Sequence, residues 1–218
     1  MARPRKDDSR DTRQAILDRA LDLFAEHGFY GTSMRQIARA VGVRESALYH
    51  HFPGKEAILH ELIKDLGPGR LLQLVNVDVA AMAAGVGVEE LLKQLLNVII
   101  TTWSTPQEMK IFRVLVSEGL RFDAEGVMHP PLFMRRVRTA VSGLLTQLID
   151  QGLIRDVDPD AATLALMGPV IMLRVMYLAM PSQQADFKGL KADIDRHAAF
   201  IWQSLKPLPA ARPRRRTA

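Results

Sequence analysis

The residues best suited to contact a nucleic acid lie within one short stretch, about 44–51, which is predicted to form a helix. Arginine and serine side chains can hydrogen-bond to base edges in the major groove, whereas tyrosine and histidine commonly donate to backbone phosphates. We therefore expect Arg44 and Ser46 at base edges, and Tyr49 and His50 at phosphates. The alternative is an ordinary solvated face. The predicted contact residues of this helix are Arg44, Glu45, Ser46, Tyr49 and His50.

The stretch before this helix supplies the elements that would position it. Ser33 lies three residues before Gln36, which is the spacing of a capping box at the start of a helix. That helix would end at Gly42 in a left-handed conformation. Ala47 and Leu48 of the second helix are predicted to face inward. Two short helices joined by a tight turn indicate a helix-turn-helix, whose second helix can lie in a major groove.

Further phosphate contacts are predicted around the same motif. Thr32 and Ser33 precede its first helix, and Arg35 lies on that helix's outer face. Lys55 follows a Pro-Gly turn and opens the next helix, where free backbone N–H groups and the dipole favour an anion. A lysine there is unfavourable for the helix alone, so a phosphate contact explains it better than a bystander role. Both readings remain open at this stage.

Composition narrows the class of protein. The chain has 218 residues, a net charge of +5 and no cysteine, so disulfides and thiolate chemistry are excluded. Residues 1–60 hold ten basic against eight acidic side chains, residues 61–205 hold fourteen against sixteen, and residues 206–218 hold five against none. Basic ends on a slightly acidic body suit contact with phosphates at one end.

Location and catalysis are constrained by what the sequence lacks. The N-terminus has no secretory apolar region, and charges such as Arg174 interrupt each apolar run, so we expect a cytoplasmic protein without a membrane partner. No phosphate-binding loop, dinucleotide fingerprint or His-Glu-x-x-His motif occurs in the chain. We therefore expect no enzyme activity, no cofactor and no metal.

Helical spacing and breakers divide the chain into an N-terminal domain, a larger helical domain and a tail. The first helix is predicted from Asp11 to His27, after a flexible arm of residues 1–9. Gly67-Pro68-Gly69 should interrupt the fourth helix near Leu66, with a new segment from Arg70 and a loop at 84–88. The predicted all-α domains are 1–60 and 61–206, and a disordered tail is predicted at 207–218. The helices predicted in the second domain after the loop are 88–103, 106–121, 131–151, 159–180 and 187–205.

The C-terminal domain is rich in methionine and aromatic residues at helical spacing. Such residues usually fill irregular gaps in a core, but they also line adaptable apolar pockets between helices. His129 and Arg174 are polar groups in apolar surroundings that could orient a ligand or be paired structurally. The predicted pocket residues are Trp103, Met109, Phe112, Phe122, Met128, His129, Met134, Met172, Met176 and Tyr177.

The predicted helix 159–180 is apolar on nearly every side, and Pro169 should kink it. A helix of this kind must be covered all round, and a second subunit is the natural cover for its outer face. We expect a homodimer held by a four-helix bundle of residues 131–151 and 159–180 from each subunit. The helix 187–205 is the alternative contributor.

Residues 12–60 resemble the DNA-binding domain of the tetracycline-repressor (TetR) family of bacterial transcriptional regulators. Two features depart from the family pattern: Arg44 stands where many members have a capping serine, and Gly67-Pro68-Gly69 interrupts a helix that is usually continuous. The resemblance rests on the runs Ile16-Leu-Asp-Arg-Ala-Leu-Asp-Leu-Phe-Ala-Glu-His-Gly, Gly31-Thr-Ser-Met-Arg-Gln-Ile-Ala, Val41-Gly-Val and Leu48-Tyr-His-His-Phe-Pro-Gly-Lys-Glu.

The resemblance implies an all-α, two-domain regulator: an N-terminal three-helix helix-turn-helix DNA-binding domain plus a C-terminal helical domain for ligand binding and dimerisation. Its partners would be a palindromic double-stranded DNA operator, a second copy of the chain and a small apolar or amphipathic effector that releases a repressor. The alternative is a ligand-binding or interaction protein that has lost sequence-specific DNA binding.

Overall fold

The computed structural model describes residues 6–74, 79–124, 126–127, 130–179 and 186–208. Within these ranges every regular element is helical, which confirms the all-α class. The helices are α1 (Lys6–His27), α2 (Met34–Val41), α3 (Glu45–His51), α4 (Lys55–Asp65), α5 (Gly67–Leu74), α6 (Val79–Val86), α7 (Val88–Trp103), α8 (Pro106–Ala124), α9 (Pro130–Asp150), α10 (Pro159–Arg174) with a π-helical turn (Val175–Ala179), and α11 (Phe187–Leu205).

Local signals in the sequence located most of these helices. The capping box of α2 is present, because Ser33 Oγ accepts from Gln36 N–H while the Gln36 side chain accepts from Ser33 N–H. Gly42 ends α2 with φ of 81°. The Asp158 carboxylate accepts from two N–H groups at the start of α10, one residue before Pro159. Arg44 precedes α3 without a side-chain cap, as its departure from the family pattern predicts.

Several boundary predictions are wrong. Helix α1 begins at Lys6, so residues 6–9 are helical and not part of a flexible arm, and residues 1–5 lie outside the described ranges. Residues 84–86 belong to α6 and not to a loop. Helix α8 runs three residues further than predicted, to Ala124. The tail from residue 209 onward also lies outside the described ranges.

The joint predicted near Leu66 is present. Helix α4 ends at Asp65, Leu66 is extended with φ of −124°, and α5 begins at Gly67 with φ of +57° rather than at Arg70. A Cβ on Gly69 would lie 2.3 Å from the carbonyl oxygen of Lys64, so only glycine fits there. The tight return of α5 against the end of α4 therefore depends on two glycines.

Two hydrophobic cores are built from the helices. The first gathers buried side chains of α1 to α4, including Phe24, Ile37 and Leu48, and also takes in Ile111 and Phe122 of α8. The second core is formed mainly by α7, α9, α10 and α11. The domain division at residue 60 remains a prediction, and in packing terms α8 contributes to the N-terminal core.

Helix α10 continues through Pro169 and is followed by the π-helical turn, and the kink expected at Pro169 stays a prediction. By length and composition alone Pro159–Leu178 could cross a membrane, so the prediction that no such run exists is wrong. The segment nonetheless carries the buried Arg174, which pairs with Glu108, and its buried apolar side chains pack in the second core. A core helix passes the same test of length and composition.

Candidate nucleic-acid interface

Helix α3 is held to the first core at one point and exposes the rest of its surface. Leu48 is fully buried, and Phe52 just beyond the helix is also buried under the Arg13 guanidinium, which lies 4.9 Å from the ring centroid. Ala47 is exposed, so its predicted inward position is wrong. The five predicted contact residues are exposed together: Arg44, Glu45, Ser46, Tyr49 and His50.

Helix α2 adds a second exposed basic surface. Arg35 is exposed as predicted, and Arg39 is exposed four residues later. Residues four apart lie on the same face of a helix, so the two guanidinium groups form a pair on α2. The sequence analysis did not select Arg39, although the i, i+4 spacing from Arg35 was visible. Ser33 is also exposed, and its hydroxyl is engaged with Gln36.

Thr32 does not lie on this surface, which corrects the prediction of a phosphate contact. Its side chain is buried, with 2% of the residue exposed. The hydroxyl lies 2.9 Å from the carbonyl oxygen of Gly28 and 3.2 Å from that of Leu23, at the end of α1. Thr32 therefore satisfies carbonyl groups that the end of the helix leaves free.

Lys55 also has partners inside the domain. Its Nζ donates to the carbonyl oxygens of Phe29, at 2.9 Å, and of Thr32, at 3.1 Å. The amine lies 4.4 Å from the centroid of the Phe29 ring. Two of its three N–H groups are thus engaged by the turn between α1 and α2, and the phosphate contact stays a prediction that rests on the third.

The histidines at the end of α3 differ in environment. Burial lowers the pKa of His51, and the neighbouring His50 and Arg13 lower it further. His51 is therefore neutral at pH 7, and His50 is the more exposed ring of the pair.

The predicted pocket residues do not line one cavity. Phe122 belongs to the first core, where its ring lies 5.2 Å from that of Phe29, so its assignment to a C-terminal pocket is wrong. Met172 and Met176 lie more than half exposed on the surface. Tyr177 donates its hydroxyl to Asp193 at 2.6 Å. Met128 and His129 lie outside the described residues.

The remaining predicted residues fall into two places. Met134 lines a groove of about 390 Å³ between α9 and α10, with the Arg135 and Arg138 side chains along it. Trp103 and Phe112 instead both contact the guanidinium of Arg174, whose central carbon lies 4.4 Å and 4.0 Å from the two ring centroids. Met109 packs against the second core beside them.

Arg174 and Glu108 form a buried ion pair that sequence reasoning only half identified. Glu108 is fully buried, and its Oε2 lies 3.4 Å from Arg174 Nη2. Its two oxygens accept from the N–H of Gly67 at 3.1 Å and 3.0 Å, at the joint between α4 and α5. Glu108 carried no distinctive signal, because an acid in the first turn of a helix is ordinary.

Helix α8 also contacts the DNA-binding region directly. Lys110 pairs with Asp22 of α1 at 2.5 Å, and Glu118 accepts from the N–H of Phe29 at 3.2 Å. These contacts and the buried Phe122 connect the second domain to the turn that Lys55 and Thr32 hold.

The geometry of α2 and α3 is that of a helix-turn-helix DNA-binding domain. Residues 16–62 match the family described as bacterial regulatory proteins, tetR family. These residues are therefore similar to the DNA-binding domain of the TetR family of transcriptional regulators. The family and the relatives below are transcriptional regulators and not enzymes, as the sequence predicts.

Sequence relatives match mainly at the N-terminal end. The HTH-type transcriptional regulator AcrR of Shigella flexneri is 45% identical over 62 residues, which are 28% of this chain and 29% of AcrR. The match thus spans less than a third of the AcrR chain. The HTH-type transcriptional regulator TtgW of Pseudomonas putida is 28% identical over 129 residues, which are 59% of this chain and 89% of TtgW.

Solved structures match over nearly the whole chain and show the fold. NalD of Pseudomonas aeruginosa, described as the secondary repressor of the MexAB-OprM multidrug efflux pump, has a TM-score of 0.66 at 24% identity and covers 91% of this chain and 98% of its own. A structure described as a TetR-family transcriptional regulator of Mesorhizobium loti MAFF303099 has a TM-score of 0.66 at 19% identity. The match covers 94% of this chain and 100% of that protein.

We predict that Lys55→Ala lowers the free energy of unfolding by about 1–3 kcal/mol, because two carbonyl groups lose a charged donor. Lys64→Ala, at an exposed position near the end of the same helix, is the matched control and should change it by less than about 0.5 kcal/mol. Urea unfolding followed by circular dichroism measures both. Equal effects from the two variants would show that Lys55 has no internal role.

We predict that Arg44→Ala and Arg39→Ala weaken DNA binding in different ways. Loss of a base contact at Arg44 should cost about 1–3 kcal/mol and relax the preference at one base pair of each half-site. Loss of a phosphate contact at Arg39 should weaken all sequences alike and reduce the salt slope by about one unit. Fluorescence anisotropy on a set of single-base-pair variants, repeated over a salt series, separates the two. Identical profiles would contradict the assignment.

Proposed function

We propose that this protein is a cytoplasmic, ligand-responsive repressor that binds a palindromic operator as a homodimer and is released by a small apolar or amphipathic effector. The observation that carries the proposal is the face of α3, which exposes five hydrogen-bonding residues while Leu48 anchors the helix in the core. An exposed polar helix on a rigid support is the geometry that reads a major groove.

The case for a dimer rests on an exposed apolar stripe on α10. Leu164 and Met172 are 58% and 56% exposed, and Gly168 between them is exposed too, at intervals of four residues. Phe200 on α11 is 69% exposed. Apolar surface of this kind on a helix calls for a protein cover.

These positions change the choice of helices for the bundle. Helix α9 exposes three arginines, Arg135, Arg136 and Arg138, and Arg138 pairs with Asp160. A face this charged is a poor centre for a dimer interface. The dimer we propose is therefore a four-helix bundle of α10 and α11 from each subunit, and not of α9 and α10. Its symmetry would present two α3 helices to half-sites about 34–36 Å apart.

Release by an effector needs a physical route between the domains. Helix α8 supplies one, because it holds Gly67 through Glu108 at one end and Phe29 through Glu118 near the other. A ligand that favours a different arrangement of α8 lowers DNA affinity by its differential binding free energy, typically about 1–3 kcal/mol. One relative supports the repressor role by its name: KstR2 of Rhodococcus jostii (strain RHA1), 44% identical over 52 residues that are 24% of this chain, is named a transcriptional repressor.

We predict a salt-dependent complex with the DNA upstream of the protein's own gene. Phosphate contacts release counterions, so the logarithm of the affinity should fall linearly with the logarithm of salt concentration. Anisotropy with this DNA, competed by a scrambled duplex of equal length, tests the proposal. Failure to distinguish the two duplexes at low salt would favour the alternative, a ligand-binding protein without sequence-specific DNA binding.

We predict that Leu164→Glu combined with Phe200→Glu converts the dimer to a monomer, because charges would be buried at the centre of the interface. Sedimentation velocity measures the mass. The double variant should also bind the operator at least about tenfold more weakly, since one half-site is then lost per particle. Leu120→Glu is the control: Leu120 is 93% exposed on α8, outside the proposed bundle. A dimeric double variant would overturn the choice of α10 and α11.

A further inference from the structure

We propose that the effector carries a carboxylate, or an equivalent anionic oxygen, which binds Arg174 and Trp103, draws Arg174 away from the Glu108 carboxylate and thereby loosens the joint at Gly67. The inference rests on the proposed function and names the effector's chemistry and its point of action.

Arg174 has hydrogen-bonding capacity that its neighbours do not use. Only 4% of its side chain is exposed, and the rings of Trp103 and Phe112 lie 4.4 Å and 4.0 Å from the guanidinium carbon. Nη2 serves Glu108, but the Nε–H has no acceptor among the described residues. A guanidinium presents its N–H groups in a planar fork that suits the two oxygens of a carboxylate.

Trp103 provides a second donor beside the first. Its indole lies against the Arg174 guanidinium, and its Nε1–H is buried without an acceptor among the described residues. A buried N–H without an acceptor costs free energy, and the cost is recovered when an acceptor binds. Two such donors in one apolar cluster favour a ligand with at least one anionic oxygen and an apolar body.

Arg174 makes a longer contact with the carboxylate of Glu108 than with its main-chain carbonyl group. Arg174 Nη2 lies 3.4 Å from Glu108 Oε2 but 3.0 Å from the Glu108 carbonyl oxygen. The carboxylate makes its shorter contacts, 3.0 Å and 3.1 Å, with Gly67 N–H. Arg174 can therefore turn its donors toward a new anion while keeping its bond to the main chain of α8.

The charges explain why a second anion would matter. Burial lowers the pKa of Arg174 to about 10, so the guanidinium remains protonated at pH 7. Burial also raises the pKa of Glu108, and hydrogen bonding from Gly67 and the charge of Arg174 oppose that rise. A ligand carboxylate would compete for the one guanidinium and repel the ionised Glu108.

The consequence falls on the joint between α4 and α5. A hydrogen bond to an ionised carboxylate is roughly twice as strong as one to a neutral acceptor. Once Glu108 is repelled or protonated, the N–H of Gly67 loses that stronger acceptor. Gly67 has no Cβ and adopts many backbone conformations, so few steric constraints hold its φ of +57° once its hydrogen bonds to Glu108 weaken. Helix α4, which carries Lys55, would then be free to change its angle.

The first test compares acids with matched neutral compounds. Benzoate, naphthoate and decanoate are each paired with the corresponding amide, and binding is measured by thermal shift and calorimetry on the full chain. We expect at least one acid to bind at least about tenfold more tightly than its amide. Equal binding of acid and amide, or no stabilisation by any acid, would overturn the proposal.

Two substitutions are expected to act in opposite directions. Arg174→Met keeps an unbranched side chain but removes the donors, so the preference for the acid should disappear. Glu108→Gln keeps the volume and an acceptor for Gly67 but removes the competing charge, so the acid should bind several-fold more tightly. A purely structural ion pair would give lower stability in both variants and no change in the preference for acid over amide.

A third variant tests the indole donor: Trp103→Phe should weaken acid binding, because it retains an aromatic ring but removes the N–H.

Arg138→Met is the control, because Arg138 lies in the groove between α9 and α10 and also pairs with a carboxylate. Acid binding that survives Arg174→Met but is lost in Arg138→Met would overturn the proposal in favour of the groove.

Acid binding is measured without DNA, so its failure is distinct from failure to bind an operator. If the acid binds as expected, it should also weaken the operator complex of the wild type but not that of Arg174→Met. An operator complex that the bound acid leaves unchanged would overturn the proposed action on the joint.

Discussion

A single helix, α8, supplies side chains to the DNA-binding domain while one end of it is bound to the joint of α4. Ile111, Val114 and Phe122 pack in the first core, and Glu108 accepts hydrogen bonds from Gly67. A packed core resists small displacements, because its side chains interdigitate at near-crystalline density. Any shift of α8 is therefore passed to α1 and α4 rather than absorbed between the domains.

The turn between α1 and α2 is the part of the DNA-binding domain whose backbone is hydrogen-bonded to α8. Lys55 and Glu118 bond to its backbone from two other parts of the chain, and Thr32 does so from within the turn. A backbone segment satisfied by so many partners has few alternative conformations. The start of α2, and with it the position of α3, is consequently fixed relative to α8.

The buried ion pair of Glu108 and Arg174, at the opposite end of α8, is not expected to act mainly by stabilising the fold. Replacing a buried ion pair by apolar residues often leaves stability unchanged or raises it, whereas removing one partner alone is strongly destabilising. Glu108 and Arg174 are thus weak candidates for simple stabilisation. Their placement, with Glu108 on the N–H of Gly67 and two aromatic rings against Arg174, is the basis of the proposed role in determining which conformation of α4 is favoured.

Local signals determined a large part of the fold. The capping pair Ser33 and Gln36, the left-handed Gly42 and the Asp158 cap located helix ends because their partners lie within a few residues along the chain. The exposed face of α3 followed from helical spacing, apart from Ala47. The joint at Leu66 followed from the glycines and the proline beside it.

Only the tertiary structure decided which side chains are enclosed and by what. Thr32 and Lys55 look like surface residues in sequence, yet Thr32 donates to carbonyl groups at the end of α1 and Lys55 to those of the turn that follows. Phe122 packs with Phe29, and Arg174 with Glu108, across separations of 93 and 66 residues. Periodicity reports the face on which a residue lies but not the element that covers that face. The sequence by itself therefore determined most of the helices and the exposed face of α3, and the packing decided how that face is connected to the rest of the protein.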